Sequence, residues 1–250
     1  MKHQGKVAVV TGGARDIGRA VSVQLAKEGA KVVLNYYDNK NDADQTLELI
    51  REVGGEAIAV HGDMTKWSDV EKLFKEATEK FGSEIHILVN VVGGLVGRKT
   101  IEEQDEAWYN FLMDVNMKSC FFCTKAAVPY MPKESAIVNF SSLAARDGGG
   151  PGASMYATAK GAVAVFTRAM AKELGPRGIR CNALAPGTIA TSFHDKFNTP
   201  ENRERMKGIY PLRREGTAGD IADLVSFLAS SESSYITGCN IDINGGMFFS

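Results

Sequence analysis

The sequence predicts an α/β fold: a doubly wound parallel sheet of about seven strands, with helices on both faces, in a single domain. Three observations predict it. Short apolar runs alternate with helix-period segments from end to end. A glycine-rich turn, Thr11-Gly12-Gly13-Ala14-Arg15-Asp16-Ile17-Gly18, joins the first apolar run to the first helical segment. No internal repeat, low-complexity tract or linker interrupts the 250 residues, a length that suits one large domain with a buried core.

Each element follows from its local pattern. Lys6–Val10 reads as the first strand, and the segment from about Ile17 to Glu28 as the first helix, ended by Gly29 in the manner of a helix C-cap. Lys31–Asn35 is the second strand. A polar turn around Asn39–Asp42 opens a helix through Val53, and Gly54-Gly55 returns the chain to a third strand, Glu56–Val60. Val70, Leu73, Phe74, Ala77 and Phe81 mark one face of the next helix. Ile85–Val89 is the fourth strand, Glu102–Met131 a long helical region, and Ala136–Phe140 the fifth strand. A helix carrying Tyr156 extends to about Leu174, with Val163, Phe166, Met170 and Leu174 as its buried stripe. Ile179–Leu184 is the sixth strand and Asn240–Ile243 the last. The stretch from Thr188 to Arg214 breaks the alternation. It is polar, contains Pro200 and Pro211, and exceeds an ordinary connection, which predicts a lid over 188–214.

Bulk properties exclude several function classes. The formal net charge is -1, with 44% hydrophobic and 24% charged residues, so no basic surface argues for nucleic acid or membrane partners. No apolar run approaches the roughly 20 residues that span a bilayer, and no signal-like segment precedes the first strand, so a cytoplasmic location is expected. Four cysteines are too few for a disulfide framework. The Cys120-x-x-Cys123 pair lies in Ser-Cys-Phe-Phe-Cys-Thr, which reads as buried helix rather than a zinc or redox site; no metal is expected.

The chemistry concentrates at Tyr156 and Lys160. Four residues apart on a helix, they share one face. A neighbouring ammonium favours phenolate and lowers a phenol's pKa, making Tyr156 a proton donor or acceptor for a carbonyl or alcohol oxygen, with Ser142 as a second hydroxyl. Such a pair needs a redox cofactor opposite it. The Gly12–Gly18 turn supplies a place for one, because a glycine-rich strand-to-helix turn admits a pyrophosphate at the helix N-terminus.

These motifs resemble the short-chain dehydrogenase/reductase family across essentially the whole chain. The matching positions are Thr11, Gly12 and Gly18 in the turn; Asn90 and Gly93 after the fourth strand; Asn116, Ser142, Tyr156 and Lys160; and Pro186-Gly187 after the sixth strand. The resemblance implies a Rossmann-type fold, an NADH or NADPH cofactor and a carbonyl reductase. Ser142 would bind the carbonyl oxygen, Tyr156 would supply the proton, Lys160 would tune it and hold the ribose, and Asn116 would anchor a water relay. Asp63 matches a position near adenine, and Arg15 one that often grips a 2′-phosphate. Ile17, Tyr36 and Met64 complete that side of the cofactor set, while Pro186, Gly187, Thr188, Ile189 and Thr191 would hold the carboxamide. Asp16 replaces the middle glycine of the turn and Val91 a second Asn. Asp16 is expected to point outward, and its charge with that of Asp38 tilts the expectation slightly to NADH.

A closer resemblance concerns the substrate. Arg146–Ala153, Phe193-His194-Asp195 and Asp242–Gly246 are similar to loops of bacterial alginate-catabolism reductases that convert 4-deoxy-L-erythro-5-hexoseulose uronate to 2-keto-3-deoxy-D-gluconate. That implies an anionic sugar acid as the small-molecule carbonyl substrate, held by Arg146, Arg98 and His194 beside Ser142 and Tyr156. The alternatives are a 3-oxoacyl-[acyl-carrier-protein] reductase, another ketone or sugar dehydrogenase of the family, and a non-catalytic NAD(P)-binding regulator. The family also implies a homotetramer, with apolar Met247-Phe248-Phe249 as one contact.

Overall fold

The computed structural model of the chain describes residues 1–191 and 200–250. Seven strands form one sheet in the order β3-β2-β1-β4-β5-β6-β7, every adjacent pair parallel. They are β1 Val7–Thr11, β2 Lys31–Tyr36, β3 Glu56–His61, β4 Ile87–Asn90, β5 Ala136–Phe140, β6 Arg180–Pro186 and β7 Asn240–Ile243. The predicted strands agree to within two residues at nearly every end.

β1, β4 and β5 are buried on both faces, as parallel strands covered by helices must be. Alternate residues therefore serve opposite cores. Ala8, Val10, Val32 and Leu34 face one cluster with Val21 and Leu25 of α1 (Asp16–Lys27). Val9, Val33 and Leu88 face the other, with Leu73 and Phe74 of α3 (Trp67–Phe81). α2 (Lys40–Glu52) packs beside α1 on the first face.

The long helical region between β4 and β5 is broken into pieces. α4 (Glu106–Met113) runs into a π-helical turn, Asp114–Lys118, and then α5 (Ser119–Ala127). Such turns interrupt the regular ladder and are frequent at functional sites. Here the turn contains Asn116. A short α6 (Ala144–Asp147) follows β5, and α7 (Ser154–Leu174) carries Tyr156 and Lys160. In the excursion after β6, α8 spans Pro200–Lys207.

Besides the short α6 and α8, one longer helix goes beyond the sequence expectation. α9 (Ala218–Ala229) is capped by Thr217, whose Oγ accepts from Asp220 N while the Asp220 carboxylate accepts from Thr217 N. It buries Ile221, Val225 and Leu228 against α1. The signal was present in the cap and the i, i+4, i+7 spacing, but the polar stretch before it masked the start. Among the described residues no helix is long and apolar enough to cross a membrane.

Candidate active site

The strand order reverses between β1 and β4, so a crevice opens beyond their carboxyl ends, where doubly wound sheets bind ligands. Both ends are tied together there. Thr11 Oγ1 accepts from Val91 N at 3.1 Å and Val92 N at 3.3 Å. Asn35, buried at the end of β2, accepts from Gly12 N through Oδ1 at 3.2 Å and from Gly13 N through its carbonyl at 2.9 Å. Its Nδ2 donates to Gly62 O at 2.9 Å. Asn35 thus braces the glycine turn against β3, a role that sequence reasoning missed because an Asn ending a strand resembles an ordinary turn residue.

The turn fits a dinucleotide. A Cβ on Gly18 would lie 2.0 Å from Gly12 O, so only glycine lets α1 start this close to the strand. Arg15, the N-cap of α1, makes no side-chain capping bond, which leaves the first-turn N–H groups available to an anion. Asp16 adopts φ 49, a left-handed conformation that Asp tolerates better than most residues. It lines a cleft of about 350 Å³ on the flank of α1 with Arg19, Ala20, Val23 and Asp223. Arg15 is exposed at the mouth. Arg19, by contrast, is committed to Ala14 O, Thr46 and Asp42.

On the adenine side, Asp63 Oδ1 accepts from Thr65 N at 2.9 Å and its hydroxyl at 2.7 Å. Tyr36 packs edge-on against His61 at 5.3 Å. Ile17 is half-buried in the first turn of α1. Met64 and Ile189 are buried in the core, which leaves only their backbones to face a cofactor.

The catalytic candidates converge where β5, α7 and the π turn meet. The Tyr156 phenol lies near enough to Ser142 for that hydroxyl to lower its pKa, and Ser142 Oγ accepts from Ala144 N at 3.1 Å. Lys160 is 4% exposed, and its Nζ donates to Phe140 O at 2.8 Å, about 6.0 Å from the Tyr156 ring centre. Asn116 clamps Gly94 from both sides, accepting from its N at 2.9 Å and donating to its O at 3.1 Å. Gly93 fills the gap between Asn116 and Lys160; a Cβ there would stand 2.6 Å from Asn116 Oδ1 and 2.8 Å from Lys160 Nζ.

The electrostatics differ from the sequence expectation in one respect. The Tyr156 phenol is pushed above its ordinary pKa by desolvation, only partly opposed by the Ser142 hydrogen bond. Lys160 does not reverse this, because its ammonium is turned to Phe140 O. Burial also pulls Lys160 itself down to about 8. Before a substrate enters, Tyr156 therefore holds its proton firmly.

Other placements also correct the expectation. Asn90 does not face the cofactor crevice. It is buried, with Nδ2 donating to Asn139 Oδ1 at 2.9 Å and Thr124 Oγ1 at 3.2 Å, and its Oδ1 has no partner among the described residues. Arg146 is not available to a substrate: it donates to Asn240 O at 2.6 Å and pairs with Asp242 at 3.3 Å. Packing between α6 and the β7 edge takes the charge that a substrate carboxylate would have met. Arg98 is exposed on the rim, with Nη1 donating to Pro151 O at 2.8 Å, while Lys99 lies 4.8 Å over the Trp108 ring. His194 lies outside the described residues. Cys120 and Cys123 are buried free thiols, Cys120 pushed up to about 12 by desolvation, as inert core cysteines are.

Pro186 ends β6, and Gly187 N donates to Ile243 O at 3.0 Å. Thr191 Oγ1 donates to Ile189 O at 3.2 Å.

Comparisons with known proteins accord with this geometry. A family model described as enoyl-(acyl carrier protein) reductase matches residues 12–248. The 3-oxoacyl-[acyl-carrier-protein] reductase FabG of Staphylococcus aureus is 37% identical over 245 residues, covering 97% of this chain and 98% of that protein. A short-chain dehydrogenase/reductase from Serratia marcescens superposes with a TM-score of 0.94 at 31% identity, over 99% of both chains. A short chain dehydrogenase from Burkholderia cenocepacia, solved in complex with NADP, superposes with a TM-score of 0.92 at 29% identity over 99% of both. Several relatives matched at nearly full length are named 3-oxoacyl-[acyl-carrier-protein] reductase, which supports that alternative better than the uronate reading suggested by the loops.

Proposed function

Because the chain belongs to the short-chain dehydrogenase/reductase family and is an NAD(P)-dependent oxidoreductase, we propose that it reduces the 3-oxo group of an acyl thioester carried on acyl carrier protein. The observation that carries the reductase reading is the Ser142–Tyr156 hydroxyl pair beside buried Lys160. The substrate class is supported by the names of relatives that match at nearly full length, and by the engagement of Arg146 with Asp242.

The residues divide the work as follows. The substrate carbonyl oxygen sits between two hydroxyls. Ser142 Oγ accepts from Ala144 N, so the hydroxyl keeps one proton to donate, which would turn from Tyr156 to the carbonyl oxygen when substrate enters. Tyr156 transfers its proton to the oxygen as negative charge develops there, and the Lys160 ammonium offsets the phenolate left behind. With its pKa raised by desolvation Tyr156 is in the acid form at neutral pH, and the Lys160 ammonium is what would make it a stronger donor as charge develops. A bound nicotinamide cofactor would supply the hydride for the carbonyl carbon. Its pyrophosphate would be held at the Gly12–Gly18 turn, its adenine end by Asp63 and the Met64 backbone, and its carboxamide by the strip Pro186–Thr191.

Among cofactors, NADPH is the better-supported choice. Asp16, which with Asp38 tilted the expectation toward NADH, lines the flank of α1, while Arg15 is exposed at the N-cap of α1, where it would meet a 2′-phosphate. A uronate remains the second reading, favoured by Arg98, whose exposed guanidinium stands on the rim. A homotetramer fits the half-exposed β7 edge and Phe249, which is 81% exposed.

The test is loss of reduced-nicotinamide absorbance with a 3-oxoacyl thioester, 4-deoxy-L-erythro-5-hexoseulose uronate and a simple ketone, each with NADPH and NADH. Preference for the thioester supports the proposal, and preference for the uronate transfers it to the second reading. No turnover with any carbonyl would leave a binding protein.

A further inference from the structure

The described limbs of the excursion after β6 meet at one buried side-chain contact. Tyr210 is 2% exposed, and its hydroxyl donates to Thr188 Oγ1 at 2.7 Å. Thr188 belongs to the strip 187–190, whose backbone is tied at both ends. Gly187 N donates to Ile243 O at 3.0 Å, and Ala190 N donates to Gly216 O at 2.8 Å. Gly216 N donates back to Thr188 O at 3.0 Å.

These ties leave little slack at the ends of the strip. A Cβ on Gly187 would be 2.8 Å from Asn244, and one on Gly216 would be 2.5 Å from Ile189 Cδ1. The space under Thr188 is different. A cavity of about 240 Å³ lies there, bounded by Thr188, Tyr210, Leu212, Arg214 and Asn244 among others. The Tyr210 hydroxyl is the contact that spans from the far wall to the strip. Tyr210 is itself fixed, since Arg213 N donates to its carbonyl at 2.9 Å and Leu212 N donates to Gly245 O at 3.2 Å.

We propose that Tyr210 is a positioning residue for cofactor binding: its hydroxyl, acting through Thr188, holds the strip 187–190 in place beside the cavity. The proposal rests on the reading of that strip as the carboxamide site. Tyr210 touches no reacting atom; its effect is on the backbone that would.

The test is equilibrium titration with NADPH, followed by fluorescence, with no substrate present. Tyr210→Phe keeps the ring and removes one hydrogen bond, so NADPH affinity should fall about 2- to 10-fold. Thr188→Val should fall by the same factor, the double variant no further, and Thr188→Ser should bind like the parent, because these residues act as one unit. Parent-like binding by Tyr210→Phe, multiplied losses in the double variant, or failure of Thr188→Ser to rescue would each overturn the proposal while leaving the reductase reading intact. Parent protein that binds neither NADPH nor NADH would sink the reductase reading and this proposal with it.

Discussion

Replacing Gly93 by Ala should damage the catalytic cluster without touching any residue that reacts. Gly93 has φ 145, a region that L side chains avoid, so the backbone alone costs roughly 1–3 kcal/mol. The new Cβ would stand 2.6 Å from Asn116 Oδ1 and 2.8 Å from Lys160 Nζ, where ordinary contact begins at 3.4 Å. Either the loop or the ammonium must move by about 0.6 Å or more, the difference between those distances. Lys160 donates at 2.8 Å to Phe140 O, and losing a hydrogen bond of that charged kind costs about 1.5–3 kcal/mol. A shift of this size in a positioning group should lower kcat by one to two orders of magnitude. Gly94→Ala is the internal control, because a Cβ there meets nothing within 4 Å, and the Asn116 bonds to the Gly94 backbone survive the change. Steady-state kcat and melting temperature of both variants make the assay. Gly93→Ala with parent-like kcat, or Gly94→Ala equally impaired, would refute the steric argument.

Tyr156→Phe should abolish reduction to below about a hundredth of the parent rate, within the range assigned to general acid catalysis, while NADPH titration stays unchanged; retained turnover would remove Tyr156 from the proton path. Arg15→Ala should weaken NADPH about tenfold or more and NADH less than about twofold, as loss of a charge-assisted phosphate contact requires, measured by the same titration. An equal loss for both cofactors would place Arg15 elsewhere. A stability prediction arises from His3, fully buried against Ser226 at 3.2 Å and Glu28 at 3.3 Å, with its pKa lowered to about 4. Desolvation outweighs Glu28 there, with Lys2 and Lys6 opposing protonation too. The unfolded imidazole protonates near pH 6.5, so the unfolded state binds the proton first and stability is lost as pH falls from about 6.5 to 4, by about 3 kcal/mol at the limit. Urea unfolding at both ends of that window should show the slope in the parent and its loss in His3→Gln; identical slopes would contradict it.

The sheet was legible in the sequence because each strand is a short apolar run between helix-period segments, and parallel strands buried on two faces must be apolar throughout. The Ser142, Tyr156 and Lys160 positions were legible for a different reason: their motif spacing is fixed by one strand end and one helix. What escaped were features set by tertiary contact. The orientation of Arg146 depends on Asp242, 96 residues away, and nothing local announces that pair. The Tyr156 pKa follows from desolvation and from Lys160 turning to Phe140 O, neither of which an i, i+4 spacing reveals. Asn35 and Asn90 are similar strand-end amides in the sequence, yet one braces the glycine turn and the other joins a buried network with Asn139.

The two departures from the family pattern become intelligible on the same ground. Val91 forgoes an amide, but the backbone it sits on is held from the other side, by the Thr11 hydroxyl accepting from Val91 N and Val92 N. Asp16 brings a Cβ and a charge to the glycine turn. The turn keeps its shape because Asn35 grips Gly12 and Gly13, and because the glycine that α1 cannot do without is Gly18, packed on Gly12 O. In both cases a motif position is dispensable because a hydrogen bond from a neighbouring strand end fixes the backbone instead. A charge at the pyrophosphate turn is the one feature that speaks for the non-catalytic alternative, and Asp16 supplies it. With its conformation accommodated and the Ser142–Tyr156–Lys160 cluster intact behind it, the chain retains a proton donor that mere nucleotide binding does not need.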